Sequence, residues 1–414
     1  MSLATTIEPP RLQIRQAAAS AQFVGRFAAI FMMGAYFLRS SAFPVSNYTY
    51  GVPEEYFCYG SLILASAYHL TSRGNRINAP VLLGILAVSM SVLLSLDPRE
   101  SLIRWLGWVL IMASGGGLIV GSSVRVFRQK AIEYAIWWIH IMTCGTALAA
   151  VTGTQFPGRG IYWGIMDHSQ MLGPVAALSA LDALRRFMVA GRKKWLTMFV
   201  IAVLVSLLAS SRAALLGLGI GVLPITKMSG SRGHFIAAVV FAVALFGYFL
   251  IRYDRQVESY LISRSAPVAS GVMHKGLGNS RAELWGERWT EFRAAPYFGT
   301  GFAMGGRESK GIADASVMVE PGSGYLTVLS STGLVGVSGI LMIVGHLILC
   351  LRKNWNAIPR EARIFIVSWG SFLAVHLNFE GYTVSVGSLL CLVMWTFLAY
   401  ALDQARPRSR QVVA

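Results

Sequence analysis

Twelve apolar runs divide this 414-residue chain, most of them near the length that carries an α-helix across a bilayer. They fall at roughly 20–38, 54–70, 80–96, 101–122, 131–152, 166–183, 195–210, 212–226, 234–251, 324–351, 362–378 and 383–402. Charged residues make up only 13% of the chain, whereas a soluble domain covers its surface with about 25%. A chain so poor in charge cannot be wetted all round, and an all-α, polytopic membrane protein is the expected fold class. The basic excess, formally +17, does not point to nucleic acid, because that needs a clustered basic face on a soluble domain. Here the charges are spread through short gaps between apolar runs. Cys58, Cys144, Cys350 and Cys391 lie within or beside the runs, without metal-ligand spacing or a disulfide framework.

Lys and Arg accumulate on the cytoplasmic side of membrane proteins. With the N-terminus inside, twenty-one of them fall in cytoplasmic segments, while the short outer loops hold only Arg39, Arg99, Arg159 and Arg212. Both termini are therefore expected in the cytoplasm. The first eighteen residues contain Glu8, Pro9 and Pro10 and no apolar core, so they do not read as a cleavable signal.

One connection is long. Residues 252–322 lie between the ninth and tenth runs, on the outer side, with nine basic and eight acidic residues. A loop of that length in a compact protein is usually functional. It divides the chain into three parts: 1–251 with nine spans, the loop 252–322, and 323–414 with three spans and a cytoplasmic tail. Within the loop, Asn279-Ser280-Arg281-Ala282-Glu283 predicts a helix start with a capping box, running to about Ala295 and stopped by Pro296. Arg281, Trp285 and Arg288 then share one helical face. Two guanidinium forks suit phosphate oxygens, and an indole between them suits a sugar face. A solvated surface helix with Trp285 on the membrane interface is the competing reading.

Elsewhere, Arg212 follows Ser210-Ser211 at the outer mouth of two apolar runs. It either snorkels to the headgroups or marks a site, as polar groups at such depth often do. Arg26 and Arg104 lie inside their runs and call for an interior partner, with Glu133 and Glu380 as candidates. Asp167-His168 opens the sixth run: His168 suits a proton shuttle, or the pair simply caps a helix start. His376 and Glu380 sit four apart, a spacing that puts both on one helical face, with Glu380 as a base or as the neutraliser of an arginine. The stretch Gly299-Thr300-Gly301-Phe302-Ala303-Met304-Gly305-Gly306 lacks the Lys-Ser/Thr of a P-loop. Its glycines predict a tight turn or a close backbone approach to a ligand.

In order, Asp167-His168-Ser169-Gln170, Ser210-Ser211-Arg212, Asn279-Ser280-Arg281 with Trp285, Pro296-Tyr297-Phe298-Gly299-Thr300-Gly301, and Tyr325-Leu326 leading to Gly333 and Gly336 form a series. With twelve runs and one large outer loop before the tenth, the chain resembles the O-antigen ligase and O-antigen polymerase superfamily of bacterial envelope glycosyltransferases, over roughly residues 160–385. The resemblance implies a multi-pass protein of the bacterial inner membrane with its large loop in the periplasm. It also implies transfer of a glycan from an undecaprenyl-diphosphate carrier to an acceptor sugar hydroxyl, without nucleotide, metal or other cofactor. The implied partners are the carrier-linked oligosaccharide, the glycan acceptor, the lipid bilayer and other polysaccharide assembly proteins, with no nucleic acid.

Carried over residue by residue, the resemblance makes Arg212 and Arg281 diphosphate ligands. Arg288, Trp285 and Tyr325 join them as carrier and glycan contacts, Arg288 from helical spacing alone. Many relatives have a His-Asn pair just before the Tyr-Leu, where this chain has Gly322-Ser323. The acceptor's proton must then go elsewhere, with Glu320, His168 and Glu380 as candidates. That departure favours a polymerase of exopolysaccharide or O-antigen repeat units over a ligase acting on lipid A core. From another class, a transporter of lipid-linked glycans is the alternative, although no half of the chain repeats the other.

Overall fold

The computed structural model describes residues 10–41, 55–72, 74–95, 97–153, 164–166, 169–230, 279–304 and 322–406, with scattered positions between 236 and 247. The described chain is almost wholly helical. Its helices are α1 (Pro10–Arg39), α2 (Glu55–Thr71), α3 (Ala79–Leu93), α4 (Pro98–Ser114), α5 (Ser122–Val151), α6 (Ser169–Ala190), α7 (Lys193–Leu208), α8 (Arg212–Ser229), α9 (Asn279–Ala294), α10 (Gly324–Asn354), α11 (Arg360–His376) and α12 (Leu389–Ala405). Two two-residue strands pair antiparallel, Arg76 with Val120 and Ile77 with Ile119. The expected run at 234–251 falls largely outside the described residues. By length and apolarity, the segments Ser122–Val151 and Gly324–Ala357 are able to cross a membrane, and Ala79–Leu93 and Leu389–Ala405 are shorter apolar helices.

Local chemistry sets the helix ends. At α4, Pro98 takes the first helical position and Asp97 accepts a hydrogen bond from Glu100 N at 3.1 Å. The helix was expected to continue to 122 but stops at Ser114, where Gly115, Gly116 and Gly117 follow. The carbonyls freed there and just beyond are met from α5: buried Arg128 donates to the oxygens of Gly115, Gly116 and Ile119. Its charge is balanced by Asp403 of α12 at 2.8 Å. A second buried cluster gathers on α6, where Asp182 contacts His140 at 3.0 Å, Arg185 at 2.7 Å and Arg186 at 2.6 Å. Helix α12 begins at Leu389 rather than near 383, because 382–388 run irregularly and Trp395 Nε1 donates to Thr383 O at 2.9 Å.

The largest fully buried side chains include Trp108, Trp369, Trp395, Phe302 and Phe372. Helices α3 and α10 touch backbone to backbone at Gly84 and Gly339, where a Cβ on either would lie 2.5–2.6 Å from the other's carbonyl oxygen. Small residues at crossings of this kind let apolar helices approach closely. Around the outside, large apolar side chains such as Phe23, Phe27, Trp137, Leu148, Leu341 and Leu349 stand exposed.

Helix α10 is broken in its first third. Gly333 has φ 62° and ψ −170°, a conformation essentially reserved for glycine. The backbone groups released by the break are taken up by the segment 296–301. Thr300 N and Gly301 N donate to Ser330 O and Ser331 O at 2.9 and 3.1 Å. Leu334 N and Val335 N donate to Pro296 O and Tyr297 O at 2.9 and 3.0 Å. The described part of the glycine-rich stretch makes the expected tight turn, with Gly299 and Gly301 at φ 72° and 124° and Met304 N donating to Gly301 O at 3.1 Å, and the backbone it approaches closely is that of α10. Past segment 296–301, Phe302 inserts beside Trp108 with ring centroids 5.6 Å apart. Arg104 donates to Ala303 O at 2.6 Å and pairs with Glu100 at 2.8 Å, so its partners are these and not Glu133 or Glu380. Glu133 contacts Lys130, and Arg26 is exposed.

Candidate active site

Helices α8 and α11 run antiparallel in a register that two contacts fix. Gly217 packs on the Phe372 ring and Gly221 on Ser368 O, while Ser368 Oγ donates to Gly221 O at 2.9 Å. Continued by one and a half turns, that register puts Arg212, the first residue of α8, level with Leu377 at the end of α11. Glu380 follows three residues later. Replacing Ser368 with Ala removes the inter-helix hydrogen bond and is expected to cost about 1 kcal/mol. Chemical denaturation in detergent measures it, and an unchanged stability would argue against this register.

Helix α6 lies parallel to α8. Gly173 packs on Ser211 and Ala214, and Leu181 on Gly221. The start of α6, just after Asp167-His168, is thus beside the start of α8. His168 itself lies outside the described residues, as does Glu320. A third helix begins at the same end. Gly324 N of α10 donates to Leu377 O at 2.8 Å, and Gly324 packs on Glu380 O and Thr383. Ser211 and Ser323 cap α8 and α10, accepting from Ala214 N and Leu326 N. Three helix N-termini at one end give a region whose backbone dipoles favour negative charge.

The turn that carries Glu380 is pinned on several sides. Phe379 N and Glu380 N donate to His376 O at 3.0 and 3.1 Å, and His376 Nδ1 lies 3.3 Å from the Tyr382 hydroxyl. Burial, with the nearby Glu380 carboxylate adding to it, pushes the Tyr382 phenol well above its ordinary pKa, so it stays protonated. His376 and Glu380 do not share a helical face in use: His376 is buried against Phe372, and Glu380 is partly exposed past the helix end. The spacing suggested a common face because α11 was expected to reach 378; it ends at His376.

Helix α9 forms where the sequence predicts it, Asn279 to Ala294. It packs against α10. Trp285 Nε1 donates to Gly322 O at 3.2 Å, and the indole lies 6.5 Å from the Phe379 ring, centroid to centroid. Arg281 precedes Trp285 by one turn; its side chain is not among those described. Arg288 departs from expectation. Only 1% of it is exposed, with Nη1 2.9 Å from Glu291 Oε2 and Nη2 3.5 Å from Glu287 Oε2. The Glu291 contact is off the hydrogen-bond line and acts as a charge contact. Arg288 is buried on α9 and charge-balanced by Glu287 and Glu291 of its own helix, while its Nε and Nη1 make no hydrogen bond among the described residues. Helical spacing could not reveal this, since α9 turns its Arg288 side inward and leaves Trp285 out. Tyr325 is half exposed, and its hydroxyl donates to Ala374 O at 2.9 Å.

Arg212, Glu380, Trp285 and Tyr325 are therefore brought to one end by α8, α11, α9 and α10, with the first turn of α6 beside them. Sequence reasoning missed Phe379, which carries no charge and no motif signal, and marked Gly322 only as the place of the absent His. Among the described residues, no three His, Cys, Asp or Glu side chains are arranged to hold a metal ion. No protein-family model matches the chain, and no curated protein is similar enough to it to count as a relative.

Proposed function

We propose that this is a twelve-span glycosyltransferase of the bacterial inner membrane, with both termini in the cytoplasm. On this reading it transfers a glycan from undecaprenyl diphosphate to an acceptor hydroxyl on the periplasmic face. The observation that carries the reading is the gathering of Arg212, Glu380 and the Arg281-bearing helix α9 at a single end, where three helix N-termini also meet. The basic bias of the loops assigns that end to the periplasm. The many exposed large apolar side chains and the two long apolar helices support immersion in lipid.

In this scheme the leaving group is undecaprenyl diphosphate, and negative charge grows on its phosphate oxygens as the glycosidic bond breaks. Arg212, Arg281 and the helix N-termini stabilise that charge more in the transition state than in the ground state, which is what accelerates the step. Glu380, held by the turn at the end of α11, accepts the acceptor hydroxyl's proton. His168 and Glu320 remain alternative bases. Arg288 stays buried on α9, charge-balanced by its own helix. Polymerisation of exopolysaccharide or O-antigen repeat units is preferred to ligation onto lipid A core, because Gly322-Ser323 replaces the His-Asn pair of many ligase-like relatives.

One observation favours a second reading. Interrupted helices such as α10 line substrate paths in many carriers, so a lipid-linked glycan transporter is the rival. Purified protein in liposomes, supplied with undecaprenyl-diphosphate repeat units, separates them. Chain growth is expected; translocation of the glycan without growth would establish the carrier and overturn the enzyme.

A further inference from the structure

Trp285 and Tyr325 present their rings outward while their polar atoms are turned inward. Trp285 is 38% exposed and Tyr325 49% exposed. Yet the indole N–H donates to Gly322 O, and the phenol O–H donates to Ala374 O. Aromatic residues of a membrane-interface belt show the opposite arrangement, with the apolar body in lipid and the polar tip in water or headgroups. Phe379 lies next to Trp285, its ring tilted 40° to the indole. At 6.5 Å between centroids the pair leaves no slot between the rings, so together they make a bent wall. The wall adjoins Glu380, the residue after Phe379, and Arg281 lies one turn before Trp285 on α9.

We infer that Trp285 and Phe379 form a stacking wall for the pyranose rings of the carrier-borne glycan. The inference rests on the glycosyltransferase reading and adds to it how the sugar is read. A wall whose donor is already bonded to the backbone contacts C–H faces by dispersion and makes no hydrogen bond to a chosen hydroxyl. It therefore tolerates a change of hydroxyl configuration, unlike a site built on hydrogen bonds, which rejects the wrong partner by about 10⁴ or more. Its selectivity is for ring faces: any repeat unit with an open C–H face near the diphosphate fits.

The test uses full-length protein in nanodiscs and three probes: undecaprenyl diphosphate carrying an oligosaccharide, bare undecaprenyl diphosphate, and a soluble β-glucan hexasaccharide. Trp285→Ala and Phe379→Ala are each expected to weaken the glycan-bearing carrier about tenfold and to leave the bare carrier unchanged. Trp285→Phe, which keeps a ring, is expected to retain most of the affinity and so controls for misfolding. Replacing glucose by galactose in the glycan is expected to shift wild-type affinity less than about tenfold. Equal loss for both carriers, or no loss for either, would overturn the wall while leaving the enzyme reading standing. If wild-type protein binds neither carrier, the enzyme reading fails, and the soluble glucan decides the wall: Trp285-dependent binding keeps it, and absence of binding ends it.

Discussion

Arg212→Ala is expected to insert and fold normally and to lower glycan transfer by a factor on the order of 10²–10³, the effect of deleting one donor from a preorganised anion site. The size follows from position. Arg212 is the first residue of α8, so its charge is carried at the positive end of its own helix dipole. The register of α8 on α11 puts it level with Leu377 at the end of α11, three residues before Glu380 in the chain. A charge needed as the diphosphate departs acts on turnover more than on carrier affinity, so kcat is expected to fall further than KM rises. Arg212→Lys keeps the charge without the planar fork and is expected to recover only part of the rate. The measurement is chain extension by reconstituted protein, with size-exclusion profiles confirming that the variants are folded. Undiminished extension by Arg212→Ala would remove the arginine from the chemistry and leave it as a headgroup anchor.

How much of this was legible in the sequence depends on which physical signal each part leaves there. Apolar runs of the right length are a strong signal, and helices occupy eleven of the twelve expected runs within the described residues. The division at Ser210–Arg212 was readable from its polar residues, and α9 from its capping sequence and Pro296. Ends were less legible. The stops at Ser114 and His376 are completed by partners outside the helix itself, Arg128 of the next helix in one case and Gly324 and Tyr382 in the other. At the site, charge and motif marked Arg212, Arg281 and Glu380. Burial decided Arg288, and burial is a property of the folded face that spacing within one helix does not contain. Phe379 was invisible because an aromatic residue in an apolar chain carries no pattern until a neighbour such as Trp285 is placed against it.

The splice of segment 296–301 into α10 at Gly333 makes the largest stability prediction. Gly333→Ala is expected to destabilise the protein by about 5 kcal/mol or more. Of this, ~1–3 kcal/mol comes from forcing a Cβ-bearing residue into the conformation at Gly333. The rest comes from the splice. A Cβ at 333 would lie 2.5 Å from Tyr297 O and from Phe298 N, so segment 296–301 must move away. Four hydrogen bonds join that segment to the two halves of α10, each contributing about 1 kcal/mol. Gly345→Ala supplies the control: it lies in the same helix with no atom within 4 Å of its added Cβ, and alanine favours a helix over glycine by about 1 kcal/mol. Denaturation in detergent should separate the two substitutions in sign, Gly333→Ala falling and Gly345→Ala holding or rising. Equal behaviour would mean that the splice does not hold α10 together. A milder loosening would still be felt at the site, because the first half of α10 carries Tyr325 and docks its N-terminus on Leu377, three residues before Glu380.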